Sequence, residues 1–157
     1  ESMGLFSKKM TIAAPCTGVL KPLQEVNDPV FSKGLVGQGF AVLPNDGEVV
    51  SPVEGEVTMV FPTGHAFGVK DKKGWEYLIH LGIDTVNLKG EGFETKVSVG
   101  QWLQKGEPVS RMDLALLKEK GLESDVLVLV TNPATVTIKQ PYGDVEKGQI
   151  VAEVNHA

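Results

Sequence analysis

Short runs rich in Val, Ile, Thr and aromatic residues follow one another along the chain, and turn residues break them at nearly every step. In Gly55-Glu56-Val57-Thr58-Met59 polar and apolar positions alternate, the spacing of a strand with one buried face. The pattern predicts strands over 10–14, 18–22, 40–43, 48–51, 55–61, 66–70, 75–81, 125–130, 135–138 and 150–154. One helix is expected over 114–120, begun by Asp113 as N-cap and closed by Gly121. Eighteen Gly and nine Pro supply the punctuation. Many short strands with tight turns imply an all-β fold, a compact antiparallel β-sandwich or barrel with one or two short helices.

Two internal echoes stand out. Ala14-Pro15-Cys16-Thr17-Gly18-Val19 resembles Ser51-Pro52-Val53-Glu54-Gly55-Glu56-Val57, and Lys105-Gly106-Glu107-Pro108-Val109 resembles Lys147-Gly148-Gln149-Ile150-Val151. Each joins a turn glycine to a following strand, so they point either to pseudo-symmetric halves or to shared turn chemistry. With 157 residues the chain has the size of one domain. The expected division is a flexible N-terminal segment over 1–9, with Glu1-Ser2 as a cloning remnant, and one domain over 10–157.

Charge and composition narrow the function. A net charge of −5 argues against a basic nucleic-acid surface and favours a basic protein partner. No apolar run reaches the roughly 18 residues that would span a bilayer. The single cysteine, Cys16, has no internal partner for a disulfide, which fits a reducing compartment.

Candidate chemistry centres on two of the three histidines. His65 and His80 flank Asp71-Lys72-Lys73-Gly74, a hairpin signal. With a loop of two or four residues, Lys70 faces Trp75, Phe67 faces Leu78 and His65 faces His80. Opposed side chains then lie roughly 5 Å apart on one face. A three-residue loop with Gly74 as a bulge shifts the register by one and separates the rings. Facing imidazoles suit a metal, a nucleophile with an electrostatic partner, or a structural pair. His80 stands in an apolar strand followed by Gly82 and Asp84, and His65 stands among Thr63, Gly64, Phe61 and Phe67.

These residues carry a family resemblance. Tyr77-Leu78-Ile79-His80-Leu81-Gly82-Ile83-Asp84-Thr85-Val86-Asn87-Leu88-Lys89-Gly90-Glu91-Gly92-Phe93 resembles the signature around the phosphorylated histidine of the glucose-family enzyme IIA proteins and domains of the bacterial phosphoenolpyruvate-dependent sugar phosphotransferase system. Thr63-Gly64-His65-Ala66-Phe67 resembles the second-histidine segment of that family, which usually has a larger residue where Gly64 stands. The similarity runs from Ile12-Ala13-Ala14-Pro15 to Gly148-Gln149-Ile150-Val151.

The resemblance implies a β-sandwich or barrel with pseudo-symmetric halves, and His80 and His65 facing one another in a shallow depression. It implies that His80 takes a phosphoryl group on Nε2 from the phosphocarrier HPr and yields it to a cysteine of a IIB domain. His65 assists, and Thr63 orients His65. An apolar collar of Val30, Phe31, Phe61, Phe67 and Leu78 would dock the partners, with Asp28 and Asp84 meeting a basic residue of HPr. No cofactor is required, although a regulatory zinc bridging His65 and His80 to a partner carboxylate is a further expectation. Regulated metabolic proteins are further partners. The location implied is cytoplasmic, transiently at the inner face of the membrane through the partner domains. Cys16 reads as structural.

The chemistry fits these residue types. Imidazole, with an ordinary pKa near 6.5, offers a lone pair at neutral pH without a separate base. For Nε2 to attack, Nδ1 must hold the proton, and a carbonyl from the Gly82 turn is a plausible acceptor for it. Two rival classes remain from the residues alone. A zinc hydrolase would recruit Asp84 as third ligand but lacks the short His spacings of such sites. A biotinyl-type carrier lacks its lysine hairpin with flanking methionines.

Overall fold

The computed structural model describes residues 9–157, so the expected flexible segment falls outside the described residues except for Lys9. Thirteen strands and two short helices form among them. In chain order they are β1 (Met10–Ala13), β2 (Gly18–Pro22), α1 (Pro29–Ser32), β3 (Gln38–Pro44), β4 (Glu48–Val50), β5 (Gly55–Val60), β6 (Ala66–Lys70) and β7 (Glu76–Leu81). There follow β8 (Trp102–Leu103), β9 (Pro108–Arg111), α2 (Leu114–Glu119), β10 (Val126–Val130), β11 (Ala134–Ile138), β12 (Gly143–Val145) and β13 (Ile150–His156). Asp113 caps α2, accepting from Leu116 N at 3.0 Å, as its sequence position suggested.

All strand pairs are antiparallel. The main sheet has eight strands in the order β12-β2-β3-β10-β7-β6-β5-β8, joined by a three-stranded sheet, β1-β13-β11, and the pair β4-β9. The main order is symmetric about the β10–β7 seam, because the hairpin β2-β3 mirrors β5-β6 and β12 mirrors β8. Backbone bonds repeat with the same symmetry. Ala13 N donates to Pro52 O at 2.9 Å and Val50 N to Pro15 O at 2.8 Å. Ala14 N donates to Gln149 O and Ser51 N to Glu107 O, both at 2.8 Å. The two sequence echoes are therefore equivalent structural positions.

Two apolar layers explain why the central strands are apolar without alternation. One face of the main sheet turns Phe40, Val42, Phe67, Tyr77, Ile79, Leu81, Val126 and Val128 into the principal core. The other face carries Ala41, Leu127, Leu129 and Leu78, covered by Leu23, Val26 and Phe31 from the crossover between β2 and β3. Val126 to Val130 is buried at every position because β10 is covered on both faces.

One expectation fails at the β6–β7 hairpin. Ala66, not His65, registers with His80, and Phe67 with Ile79, so the connection spans residues 71–75. The Asp71 carboxylate organises it, accepting from Lys73 N at 2.9 Å, Trp75 N at 3.1 Å and Tyr77 OH at 2.7 Å. The one-residue shift turns Phe67 to the principal core, where it is fully buried. Phe67 is thereby removed from any surface collar.

Candidate functional site

β7 sends Tyr77, Ile79 and Leu81 inward and leaves Leu78 and His80 on the second face. Beyond Leu81 the chain turns at Gly82, with φ +80°. The turn brings Gly82 O back to His80, whose Nδ1 donates to it at 2.7 Å. Three further bonds hold the turn. Gly82 N donates to Asp125 O at 2.8 Å, Ile83 N to Glu123 O at 3.0 Å, and Thr85 Oγ1 to Leu81 O at 2.5 Å. Only glycine suits this place, since a Cβ would lie 2.4 Å from Thr85 Cγ2 in a left-handed backbone.

The second histidine arrives from a different element. His65 ends the turn that leaves β5, one residue before β6, and its own carbonyl accepts from Leu81 N at 2.7 Å. Its ring therefore reaches His80 despite the shifted register. The centroids are 5.1 Å apart and the planes cross at 78°. Phe31 lies 4.9 Å from the His80 ring and Phe61 lies 5.0 Å from the His65 ring, so four rings stand in a row. His65 is only 3 % exposed, whereas His80 is half-buried. Thr63 Oγ1 is hydrogen-bonded to His65 Nδ1. Gly64, left-handed at φ +71°, is held in turn by Thr95, whose hydroxyl donates to Gly64 O at 2.5 Å and shares a 2.8 Å bond with Ser110 Oγ. The departure at Gly64 thus sits where a glycine backbone is at ease and tied in place.

Electrostatics favour neutral rings. Burial pushes the His65 pKa below its ordinary value. Burial does the same to His80 and outweighs the opposing Gly82 bond; His65 pushes the same way, while Asp28 and Asp84 oppose it. With Nδ1 donating to Gly82 O, neutral His80 keeps its lone pair on Nε2. If the Thr63 hydroxyl donates to Nδ1 of neutral His65, the ring proton of His65 sits on Nε2.

The structure distributes the other expected residues as follows. Asp28 caps α1, accepting from Val30 N at 2.9 Å, and so fixes the helix that lays Phe31 over His80. Val30, next to Phe31 in α1, is 49 % exposed, Phe61 at the His65 ring is 36 % exposed, and Leu78 is partly buried against the second layer. Asp84 is exposed, in a left-handed turn at φ +60°. Sequence reasoning missed Thr85, Thr95 and Ser110, whose partners are set only by the fold. Among the described residues no cluster of three or more His, Cys, Asp or Glu side chains could hold a metal. Two imidazoles alone leave a tetrahedral zinc site short of ligands, and Asp84 does not complete a hydrolase-type set. Cys16 is fully buried and its thiol pKa is raised by burial, as suits a structural residue.

A family match and its relatives make this chain a component of a phosphotransferase system. Residues 10–136 match the family described as phosphoenolpyruvate-dependent sugar phosphotransferase system, EIIA 1. The chain belongs to this family. It is 44 % identical over 142 residues to the PTS system glucose-specific EIIA component of Bacillus cereus, covering 90 % of this chain and 86 % of the relative. It is 42 % identical over 146 residues to the PTS system glucoside-specific EIICBA component of Staphylococcus carnosus, covering 92 % of this chain and 21 % of that longer protein. The solved structure of glucose permease IIA from Mycoplasma capricolum superposes with a TM-score of 0.87 at 37 % identity, over 94 % of this chain and 97 % of that one. Among the described residues no helix is long and apolar enough to cross a membrane.

Proposed function

We propose that residues 10–157 form one EIIA domain in which His80 Nε2 accepts a phosphoryl group from phospho-HPr and passes it to a cysteine of a IIB domain during sugar uptake. The observation that carries this reading is the 2.7 Å bond from His80 Nδ1 to Gly82 O, which leaves Nε2 unprotonated beside a second imidazole. The Nε2 lone pair attacks phosphorus as the donor's P–N bond breaks, and the donor imidazole keeps that electron pair. In the second step a IIB thiolate attacks, the P–N bond to His80 breaks and a P–S bond forms. No proton need leave His80 in either direction, because the Gly82 carbonyl holds the Nδ1 proton throughout.

Phosphoryl transfer asks a protein mainly for positioning and charge stabilisation. His65 donates from Nε2 to a phosphoryl oxygen while Thr63 fixes its orientation. Val30, Phe31 and Phe61 form the dry rim on which HPr and the IIB domain dock, with Leu78 beneath, and Asp28 and Asp84 steer a basic partner residue. The names of the relatives support glucose or a glucoside as the sugar. The domain works in the cytoplasm and meets the membrane through its partners. Metabolic proteins that dock on the same rim would compete with HPr, and a zinc ion held by His65 and His80 would need ligands from such a partner.

The test is phosphohistidine formation with phosphoenolpyruvate, HPr and the enzyme that phosphorylates the HPr histidine from phosphoenolpyruvate, followed by chase onto IIB. His80→Gln is expected to take no phosphate. His65→Gln should still be phosphorylated but deliver phosphate roughly 10²–10³ times more slowly. Normal delivery by the His65 variant would refute the division of roles, and phosphorylation of the His80 variant would refute the acceptor.

A further inference from the structure

We propose that the Lys21–Asp125 ion pair is a positioning element for His80, acting from across the sheet through the backbone that holds the Gly82 turn. This rests on the reading of His80 as the phosphoryl acceptor. Lys21 of β2 registers with Ala41 of β3, Ala41 with Leu127 of β10, and Leu127 with His80 of β7. Lys21 and His80 therefore occupy one row on the same face. Asp125, two residues before Leu127, points to that face as well. Lys21 Nζ lies 2.7 Å from Asp125 Oδ2, with the side chains 23 % and 4 % exposed.

Asp125 sits in the short run on which the turn hangs. Its carbonyl accepts from Gly82 N, and the carbonyl of Glu123 accepts from Ile83 N. The peptide unit between Gly82 and Ile83 thus points its N–H at Glu123 O and its C=O at His80 Nδ1. Bonds in such a chain polarise one another, and the alignment of one depends on the next. Asp125 reaches His80 through this backbone, its carbonyl holding Gly82 N while Lys21 balances its carboxylate. A carboxylate this buried is costly to leave unpaired, which ties the position of residues 123–125 to Lys21.

Lys21→Met removes the partner and leaves the buried carboxylate, and Asp125→Asn removes the charge at constant shape. Nitrogen NMR of the His80 ring reads the tautomer, urea unfolding reads stability, and transfer from phospho-HPr reads rate. Both variants should shift His80 toward the Nε2-protonated form and slow transfer roughly threefold to tenfold. Lys21→Arg keeps the pair and should keep the native tautomer. The double variant Lys21→Met/Asp125→Leu removes the pair without leaving a charge unpaired and should keep the shifted tautomer and the slower transfer; recovery of the native tautomer in it would overturn the proposal. Folded single variants with an unshifted tautomer would overturn the proposal, even if their stability fell. Should Lys21→Met fail to fold, Asp125→Asn carries the same test alone. A tautomer that shifts as expected in a protein that never takes phosphate would instead refute the acceptor reading and leave the positioning role standing.

Discussion

Gly82→Ala separates the cost of an unusual backbone from the cost of a crowded one. Gly82 and Gly121 share nearly the same left-handed backbone, at φ +80° and +73°. Forcing alanine there costs about 1–2 kcal/mol at either site. Around Gly121 a new Cβ meets nothing within 4 Å, so the backbone is its whole cost. At Gly82 the same Cβ would stand 2.4 Å from Thr85 Cγ2 and 3.0 Å from Glu123 O. Thr85 must then move, giving up its bond to Leu81 O, at about 1 kcal/mol, with a further 1–3 kcal/mol or so for overpacking. Gly82→Ala should therefore be about 2–4 kcal/mol worse than Gly121→Ala. For a domain of this size each kcal/mol moves Tm by about 2–4 °C. Paired urea and thermal unfolding of the two variants measures the gap, and nitrogen NMR of His80 follows the displaced carbonyl. Equal destabilisation of the two would refute the close-packing argument and with it the rigidity assigned to the Gly82 turn.

Phe67→Ala should destabilise the fold by about 3–5 kcal/mol, as for an aromatic removed from a packed core, with transfer by the remaining folded protein close to normal. A stable variant with impaired docking would restore Phe67 to the collar. The lowered pKa values of His65 and His80 also set a pH dependence. Between those folded-state values and the ordinary value near 6.5, the unfolded chain binds more protons, so stability falls as pH drops through about 6.5 and levels off below the folded values. Replacing both histidines with Gln should flatten this part of the urea-unfolding profile, and an unchanged slope would refute the burial argument.

The hairpin shows where the sequence stops being readable. Asp71-Lys72-Lys73-Gly74 marks a turn correctly, but its length is decided by the Asp71 side chain gathering two backbone amides and Tyr77 OH. A loop stapled from within has no signature in turn propensities, and a slip of one residue was enough to put Phe67 on the wrong face. The histidine pairing survived because His65 leaves a turn and not a strand, so ladder counting did not govern its ring. Helix α1 was missed although Asp28-Pro29 is a capping signal, since four residues give no helical periodicity to detect. The tautomer-fixing carbonyl was readable, because a glycine two residues after an ionisable strand residue lets the backbone fold back on it. The partners of Thr85, Thr95 and Asp125 lie 4, 15 to 31 and 104 positions away, and of these only the first is local enough to be guessed.

The seam between β7 and β10 has a consequence for synthesis. A nascent chain that has emerged only as far as β9 owns both imidazoles but lacks residues 123–130, which brace the Gly82 carbonyl and form the strand beside His80. During translation the ring nitrogens of His80 therefore have no fixed protonation pattern until residues 123–130 leave the ribosome, although both imidazoles of the pair are already present.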